Sequence, residues 1–126
     1  MKYERKFYRC PHCGNVISFL QNAGVSVVCC GEEMRELTPN TSDAAQEKHL
    51  PVGKREGNML KVTVGSVPHP MTEEHHIAWI AVVEHDRTSR VSLSPTGAPE
   101  AAFYVGDGPV TVYEYCNLHG LWVADL

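Results

Sequence analysis

What this 126-residue sequence lacks already excludes several classes of protein. No apolar run approaches the ~20 residues of a membrane-spanning helix, so no membrane association is expected. The net charge is −4, which argues against nucleic acid as a partner, because phosphate binding favours a basic surface. The opening stretch, MKYERKFYRC, has no apolar core of a signal peptide, so we expect a cytoplasmic protein.

Residues that bind metals are, by contrast, abundant: the sequence holds five cysteines and seven histidines. In a cytoplasmic protein such cysteines indicate metal or redox chemistry more than disulfides. Four of the five cysteines lie within residues 1–37. A segment below roughly 40 residues rarely builds a core of its own and needs a metal, a disulfide or a partner.

The composition changes near residue 38. Residues 1–37 carry five basic and four acidic side chains, whereas residues 38–126 carry six basic and eleven acidic ones. Between the two parts lies the small, polar stretch TPNTSDAAQ, which is typical of a linker. We therefore predict a metal-stapled domain over 1–37, a linker over 38–46 and a second domain over 47–126.

The second domain has the pattern of short β-strands and no convincing helical period. MLKVTVG alternates apolar and polar residues, and HIAWIAVVEH is apolar on both faces. SRVSLS, AAFYVG, VTVYEYC and GLWVADL follow at short spacing, separated by turn residues. This arrangement predicts a mainly β protein with an antiparallel sandwich or barrel.

The cysteines near the N-terminus have the spacing of a metal site. Cys10 and Cys13 form a C-x-x-C turn, and Cys29 and Cys30 follow as an adjacent pair. Four thiolates form a tetrahedral site that suits zinc or a single iron, and the spacing does not choose between them. The adjacent pair would distort that tetrahedron, although Gly31 permits a tight turn. A purely structural zinc knuckle is the alternative.

A second metal site is indicated by residues at loops and strand ends. Cys116 and His119 form a short chelating turn, and His75 competes with His76 without the spacing deciding between them. The candidates are His49, His69, His75, Cys116 and His119. Four imidazoles and a thiolate exceed the four ligands of structural zinc, whereas iron accepts five or six. Five ligands leave one open position on a ferrous site of charge +1, which would attract a small anion.

Together these motifs resemble the desulfoferrodoxin family, the two-iron form of superoxide reductase. CPHCG with the adjacent cysteine pair is similar to the family's N-terminal desulforedoxin-like centre. EKHLP, VPHPMTEEHH and CNLHG are similar to its C-terminal, neelaredoxin-like catalytic centre. The resemblance covers the whole chain, with no departure at a ligand position.

The resemblance implies two iron ions per chain. One would be held by Cys10, Cys13, Cys29 and Cys30. The other would have four equatorial histidines, His49, His69, His75 and His119, with Cys116 as the axial ligand. The family's motif thereby selects His75 over His76 as the ligand. The resemblance also implies an immunoglobulin-like β-sandwich for the second domain and a homodimer.

The implied reaction is the one-electron reduction of superoxide to hydrogen peroxide at the ferrous site. A rubredoxin-like external donor would then reduce the iron again. Lys48 would attract the anion and stabilise developing negative charge, and Glu47 resembles the carboxylate that caps the ferric ion after turnover. The alternative is a non-haem iron electron carrier without catalysis. A zinc-ribbon interaction module would explain only residues 1–37.

Overall fold

The computed structural model describes residues 2–126, which divide into two compact units. The small unit comprises residues 5–38, and the large unit comprises residues 2–4 and 39–126. Of the predicted linker over 38–46, residue 38 groups with the small unit and residues 39–46 with the large unit, where the Asn40 N–H donates to the carbonyl of Leu121 at 3.0 Å. At the N-terminus, the Lys2 N–H donates to the carboxylate of Asp125 at 2.9 Å.

The small unit consists of very short strands. Two antiparallel sheets are present, in the orders β2–β1–β5 and β3–β4. The strands are β1 (Phe7–Arg9), β2 (Val16–Ser18), β3 (Val28–Cys29), β4 (Glu32–Glu33) and β5 (Arg35–Glu36). Among residues 5–38, Phe7 and Cys10 are the only buried apolar side chains. Hydrophobic burial in this unit is therefore too small to stabilise it alone.

The large unit is an antiparallel sandwich of two sheets. The three-stranded sheet has the order β10–β7–β6, and the four-stranded sheet has the order β12–β11–β8–β9. Its elements are α1 (Gln46–His49), β6 (Pro51–Glu56), β7 (Met59–Val64), β8 (Ile77–Val83), β9 (Thr88–Ser92), β10 (Glu100–Tyr104), β11 (Thr111–Cys116) and β12 (Gly120–Asp125). The predicted mainly β fold, with a small metal-binding part and an immunoglobulin-like sandwich, is confirmed.

The core of the sandwich lies between the two sheets. Along β7 the alternation places Leu60, Val62 and Val64 inside and leaves Lys61 exposed. Residues of β8, β10 and β11 complete one continuous apolar cluster. Burial of each such side chain stabilises the fold by about 1.5–3 kcal/mol, so the large unit has a core that does not depend on metal. No helix within residues 2–126 is long and apolar enough to cross a membrane.

Candidate metal centres

Four cysteine side chains converge in the small unit, and we call them the cysteine group. Cys10 and Cys13 come from the turn after β1, and Cys29 and Cys30 come from the end of β3 and the turn into β4. Their sulfur atoms all lie within 4.8 Å of one another. The structure therefore brings together all four cysteines predicted to bind the first metal.

The backbone explains how two adjacent cysteines can face one point. Cys30 has a φ of 53° and Gly31 a φ of 78°, so two successive residues are left-handed. A non-glycine residue rarely adopts this conformation, and the glycine that follows permits the sharp reversal. The turn therefore lets both sulfurs of the pair join the group, which the spacing alone did not explain.

Hydrogen bonds and neighbouring sulfurs set the protonation of the cysteine group. The N–H groups of Cys13 and His12 each donate to the Cys10 sulfur at 3.4 Å. The bond from Cys13 is the main reason that the pKa of Cys10 falls to about 6. The sulfurs of Cys10 and Cys13 raise the pKa of Cys29 to about 12. Sulfurs this close resist further ionisation, so four thiolates require a cation among them.

Five further side chains converge in the large unit, and we call them the histidine group. His49 ends α1, and His69 lies in the loop after β7. His75 lies just before β8, Cys116 ends β11, and His119 lies in the turn into β12. Their ligand atoms also lie within 4.8 Å of one another. The structure therefore brings together all five residues predicted for the second metal.

The four imidazoles form the corners of a square. Around the square, in the order His49, His69, His75 and His119, neighbouring ring centroids are 4.6, 4.7, 5.0 and 4.9 Å apart, and the rings are nearly perpendicular. The opposite rings of His49 and His75 are 6.4 Å apart. The Cys116 sulfur lies 3.5 Å from His69 Nε2 and 3.8 Å from His119 Nδ1, the other two corners. The sulfur therefore lies at similar distances from two opposite corners of the square.

Ring hydrogen bonds determine which nitrogen atoms face the centre. The Nδ1 atoms of His49 and His69 lie 2.8 and 2.7 Å from the carbonyls of Ala45 and Pro70. A ring N–H that donates to a carbonyl leaves Nε2 as the acceptor atom. These two Nε2 atoms are 3.1 Å apart, and His119 Nδ1 is 3.1 Å from His49 Nε2. Unprotonated ring nitrogens this close repel one another unless a cation lies between them, so the arrangement suits a shared metal ion.

Burial keeps the ligand atoms in the state that a metal requires. It is the first cause that lowers the pKa of His49 and His75, and it lowers the pKa of His69 to about 4. These imidazoles are therefore neutral at pH 7. Burial raises the pKa of the Cys116 thiol, so a cation is needed to hold this sulfur as a thiolate.

The charged residues predicted beside this site lie on α1. Glu47 and Lys48 are both exposed and precede the buried His49. The charge of Lys48 contributes to the lowered pKa of His49 and of His75, after burial and the neighbouring histidines. The ammonium group therefore acts electrostatically on two corners of the square.

Two positioning features were not predicted from the sequence. Trp122 stacks on His49 with centroids 4.9 Å apart, and its indole N–H donates to the His119 carbonyl at 3.2 Å. Gly65 has a φ of 85°, and a Cβ there would lie 2.9 Å from the Glu47 carbonyl oxygen. The loop that carries His69 can therefore approach α1 only because residue 65 is glycine.

A buried carboxyl group was also not predicted. Glu114 lies on β11, is fully buried, and has no hydrogen-bond partner among residues 2–126 on either carboxyl oxygen. Burial raises its pKa to about 9, so the group is neutral at pH 7. The sequence could have indicated this burial, because the alternation of VTVYEYC places Glu114 on the same inward face as Cys116.

The chain is similar to known proteins over its full length. Residues 3–37 match the family model "Desulfoferrodoxin, N-terminal domain", and residues 41–125 match "Desulfoferrodoxin". Desulfoferrodoxin from Nitratidesulfovibrio vulgaris is 46% identical over 125 residues, which cover 99% of each chain. Superoxide reductase from Pyrococcus horikoshii is 37% identical over 108 residues, which cover 71% of this chain and 94% of that protein.

A solved structure shows the same similarity. The crystal structure of the superoxide reductase from Treponema pallidum matches with a TM-score of 0.80 and 40% identity, covering 97% of this chain and 99% of that one. The β-sandwich and the two groups of ligand residues thus define a non-haem metalloprotein with two centres. One centre has four cysteines, and the other has four histidines and a cysteine. Within that class the chain belongs to the desulfoferrodoxin family. The two groups match the family's two iron sites, so the cofactors are two iron ions per chain.

Proposed function

We propose that this chain is a superoxide reductase and that the histidine group is its catalytic centre. The observation that carries the proposal is the square of four imidazoles with one thiol close to two of its opposite corners. Iron accepts five or six ligands, so these five residues would leave one coordination position for a substrate. When bound, ferrous iron would supply the single electron that converts superoxide and two protons into hydrogen peroxide, becoming ferric.

The proposed iron ligands are the nine residues of the two groups. They are Cys10, Cys13, Cys29 and Cys30 in the small unit, and His49, His69, His75, Cys116 and His119 in the large unit. Neutral imidazoles and one thiolate give the ferrous site a charge of +1, which favours binding of an anion over a neutral molecule.

The burial of the histidine group favours approach from the side opposite the sulfur. Cys116 and His69 are buried, whereas His75 and His119 are partly exposed. Lys48 is exposed and acts on two corners of the square, so its ammonium can attract the anion and stabilise negative charge that develops there. We propose that Glu47, on the same turn of helix, is the carboxylate that approaches the oxidised centre.

The function is tested by the products of superoxide consumption. The two-iron chain, prepared with the histidine-centre iron ferrous and the cysteine-centre iron ferric, should consume one superoxide per chain and form one hydrogen peroxide, without evolving oxygen. Pulse radiolysis with a peroxide assay and an oxygen electrode gives these ratios. Oxygen evolution would indicate dismutation instead. If no superoxide were consumed, the alternative function of an electron carrier would be favoured.

Lys48 and Glu47 are expected to act at different stages. Lys48→Ile should slow the encounter with superoxide roughly 10-fold and weaken its dependence on ionic strength, because salt screens the attraction of an exposed charge. Glu47→Ala should leave the encounter rate nearly unchanged and alter the spectrum of the resting oxidised state. Pulse radiolysis of both variants across a salt series measures these effects.

Lys54 offers a matched control for Lys48. It is exposed on β6 and pairs with Glu56 at 3.6 Å. Lys54→Ile removes the same charge from the large unit and should leave the encounter rate within about twofold of the wild-type value. An unchanged rate in Lys48→Ile, or a large fall in Glu47→Ala, would show that the two roles are wrongly assigned.

Further parts of the proposal concern the partners of the chain. We propose that the cysteine centre transfers electrons and that a rubredoxin-like donor reduces the protein again. The five cysteines are free thiols in the structure, and thiolate ligands persist in a reducing compartment, so we propose a cytoplasmic location.

We also propose a homodimer formed through the small unit. Leu20, Val25 and Val28 are exposed apolar side chains in a unit of 34 residues, and a second copy that covered them would remove this apolar surface from water. Sedimentation equilibrium should give twice the chain mass of 14.0 kDa. Val28→Glu should shift the protein toward monomer, whereas Val52→Glu, at an exposed valine of β6, should not. A monomeric wild-type protein would exclude the dimer.

A further inference from the structure

The His75 imidazole is held differently from its neighbours. The rings of His49 and His69 are oriented by carbonyls that accept their Nδ1–H groups. Within residues 2–126 no hydrogen bond holds the ring of His75, and its buried Nε2 has no partner. The direction of this ring therefore depends on its packing against His69 and His119 and on the backbone on either side of it.

The side chain of Asn117 binds that backbone on both sides. Its Oδ1 accepts the N–H of His76 at 2.9 Å, and its Nδ2–H donates to the carbonyl of Glu74 at 3.0 Å. Its own N–H donates to the His76 carbonyl at 3.2 Å. One side chain therefore satisfies groups immediately before and after His75.

The hydrogen bonds of Asn117 connect the backbone around His75 to a second part of the histidine group. Asn117 directly follows Cys116 and lies two residues before His119, so it belongs to the turn that carries two members of the histidine group. Thr72 also bonds the backbone of His75, with the His75 N–H donating to Thr72 Oγ1 at 3.0 Å. Thr72 lies in the same loop as His75, however, whereas Asn117 connects that loop to the turn after β11.

We propose that Asn117 is a positioning residue of the histidine centre, which aims His75 and fixes its distance from Cys116. The proposal rests on the proposed iron site and adds a residue to which the family resemblance gave no role. Because Asn117 is exposed, water can replace its hydrogen bonds when it is removed. We therefore expect a loosened iron site in a folded protein.

The test measures iron release from the two-iron protein into a ferrous chelator. Removing an outer partner of a metal ligand typically costs about 10–100-fold in affinity. Asn117→Ala should therefore release the histidine-centre iron about 10-fold faster and change the electron paramagnetic resonance spectrum of the ferric centre. Asn117→Asp keeps the acceptor for His76 N–H but loses the donor to Glu74, and should release iron at an intermediate rate. The cysteine-centre iron is the internal reference.

Asn40 provides a matched control for a merely structural role. Its side chain also accepts from an N–H, at 2.9 Å, and donates to a carbonyl, at 3.2 Å, both of Val123. Its φ of 60° makes glycine the replacement without backbone strain. Asn40→Gly should lower the unfolding midpoint and leave the release of both irons unchanged.

Each outcome decides the proposal. Wild-type release rates in Asn117→Ala, or equal acceleration in Asn40→Gly, would overturn it. If Asn117→Ala does not fold, Asn117→Asp decides: faster release from the histidine centre supports the proposal, and a wild-type rate overturns it. A wild-type chain that binds only the cysteine-centre iron would instead refute the proposed histidine-centre iron site. Failure of the proposed function is therefore distinguishable from failure of the role proposed for Asn117.

Discussion

Replacing Cys116 by serine is expected to abolish the sulfur-to-iron charge-transfer band of the oxidised histidine centre. The rate of superoxide reduction should fall by at least ~100-fold, more than the loss of an outer partner costs. The Cys116 sulfur is buried and lies 3.5 and 3.8 Å from two opposite corners of the imidazole square. A serine hydroxyl at this position is a much poorer electron donor to iron than a thiolate.

Optical spectra of the ferricyanide-oxidised protein and pulse radiolysis of the reduced protein measure the two effects. Cys13→Ser is the matched control, because the same exchange then falls in the cysteine group and should leave the histidine-centre band in place. Survival of both the band and the rate in Cys116→Ser would show that Cys116 is not an iron ligand.

The strands that were predicted from the sequence are those with a regular pattern. Along β7 the burial alternates as the apolar residues do, and β8 is apolar on both faces and lies inside its sheet. β6 was not predicted, because it is an edge strand in which Pro51 alone is buried. The helix α1 spans four residues, which is less than one and a half helical turns and too short for a period to appear.

The strands of the small unit escape prediction for a different reason. They are two or three residues long and contribute only Phe7 to the buried apolar side chains, so no burial pattern develops. Their arrangement follows from the turns around the cysteines, such as the left-handed pair Cys30 and Gly31. Where a metal site orders the chain, the sequence indicates the structure through the spacing of the ligands and the turn residues, and not through a burial pattern.

The candidate sites were more accessible to sequence reasoning than the fold of the small unit. Cysteine and histidine are the residues that the chemistry requires, so their spacing and loop positions indicated eight of the nine residues that the structure brings together, and the family resemblance supplied the ninth, His75. Spacing did not separate His75 from His76. In the structure His75 joins the group, whereas Nδ1 of His76 lies 2.9 Å from the Thr72 carbonyl. The supporting roles of Trp122 and of Asn117, which lies inside CNLHG, were not predicted, because they depend on neighbours distant in sequence.

The two centres are expected to be separable, and Cys13→Ser tests this. The variant should lose the cysteine-centre iron, and the small unit should lose its protection from amide hydrogen exchange. That unit has two buried apolar side chains, so little else stabilises it when the metal is lost. The large unit should stay folded and keep its iron, because its apolar cluster extends over both sheets.

Three measurements on Cys13→Ser check this expectation together. Iron content should fall from two to one per chain, and amide exchange should become fast in residues 5–38 while the core strands β7, β8 and β11 stay protected. Pulse radiolysis of the pre-reduced variant should give a first encounter with superoxide close to the wild-type rate, since that step needs only the histidine centre. Ser26→Ala, at an exposed position of the small unit, is the control and should retain both irons. If Cys13→Ser also lost the histidine-centre iron or its reaction with superoxide, the two units would depend on each other, and the proposal of two independent domains would be wrong.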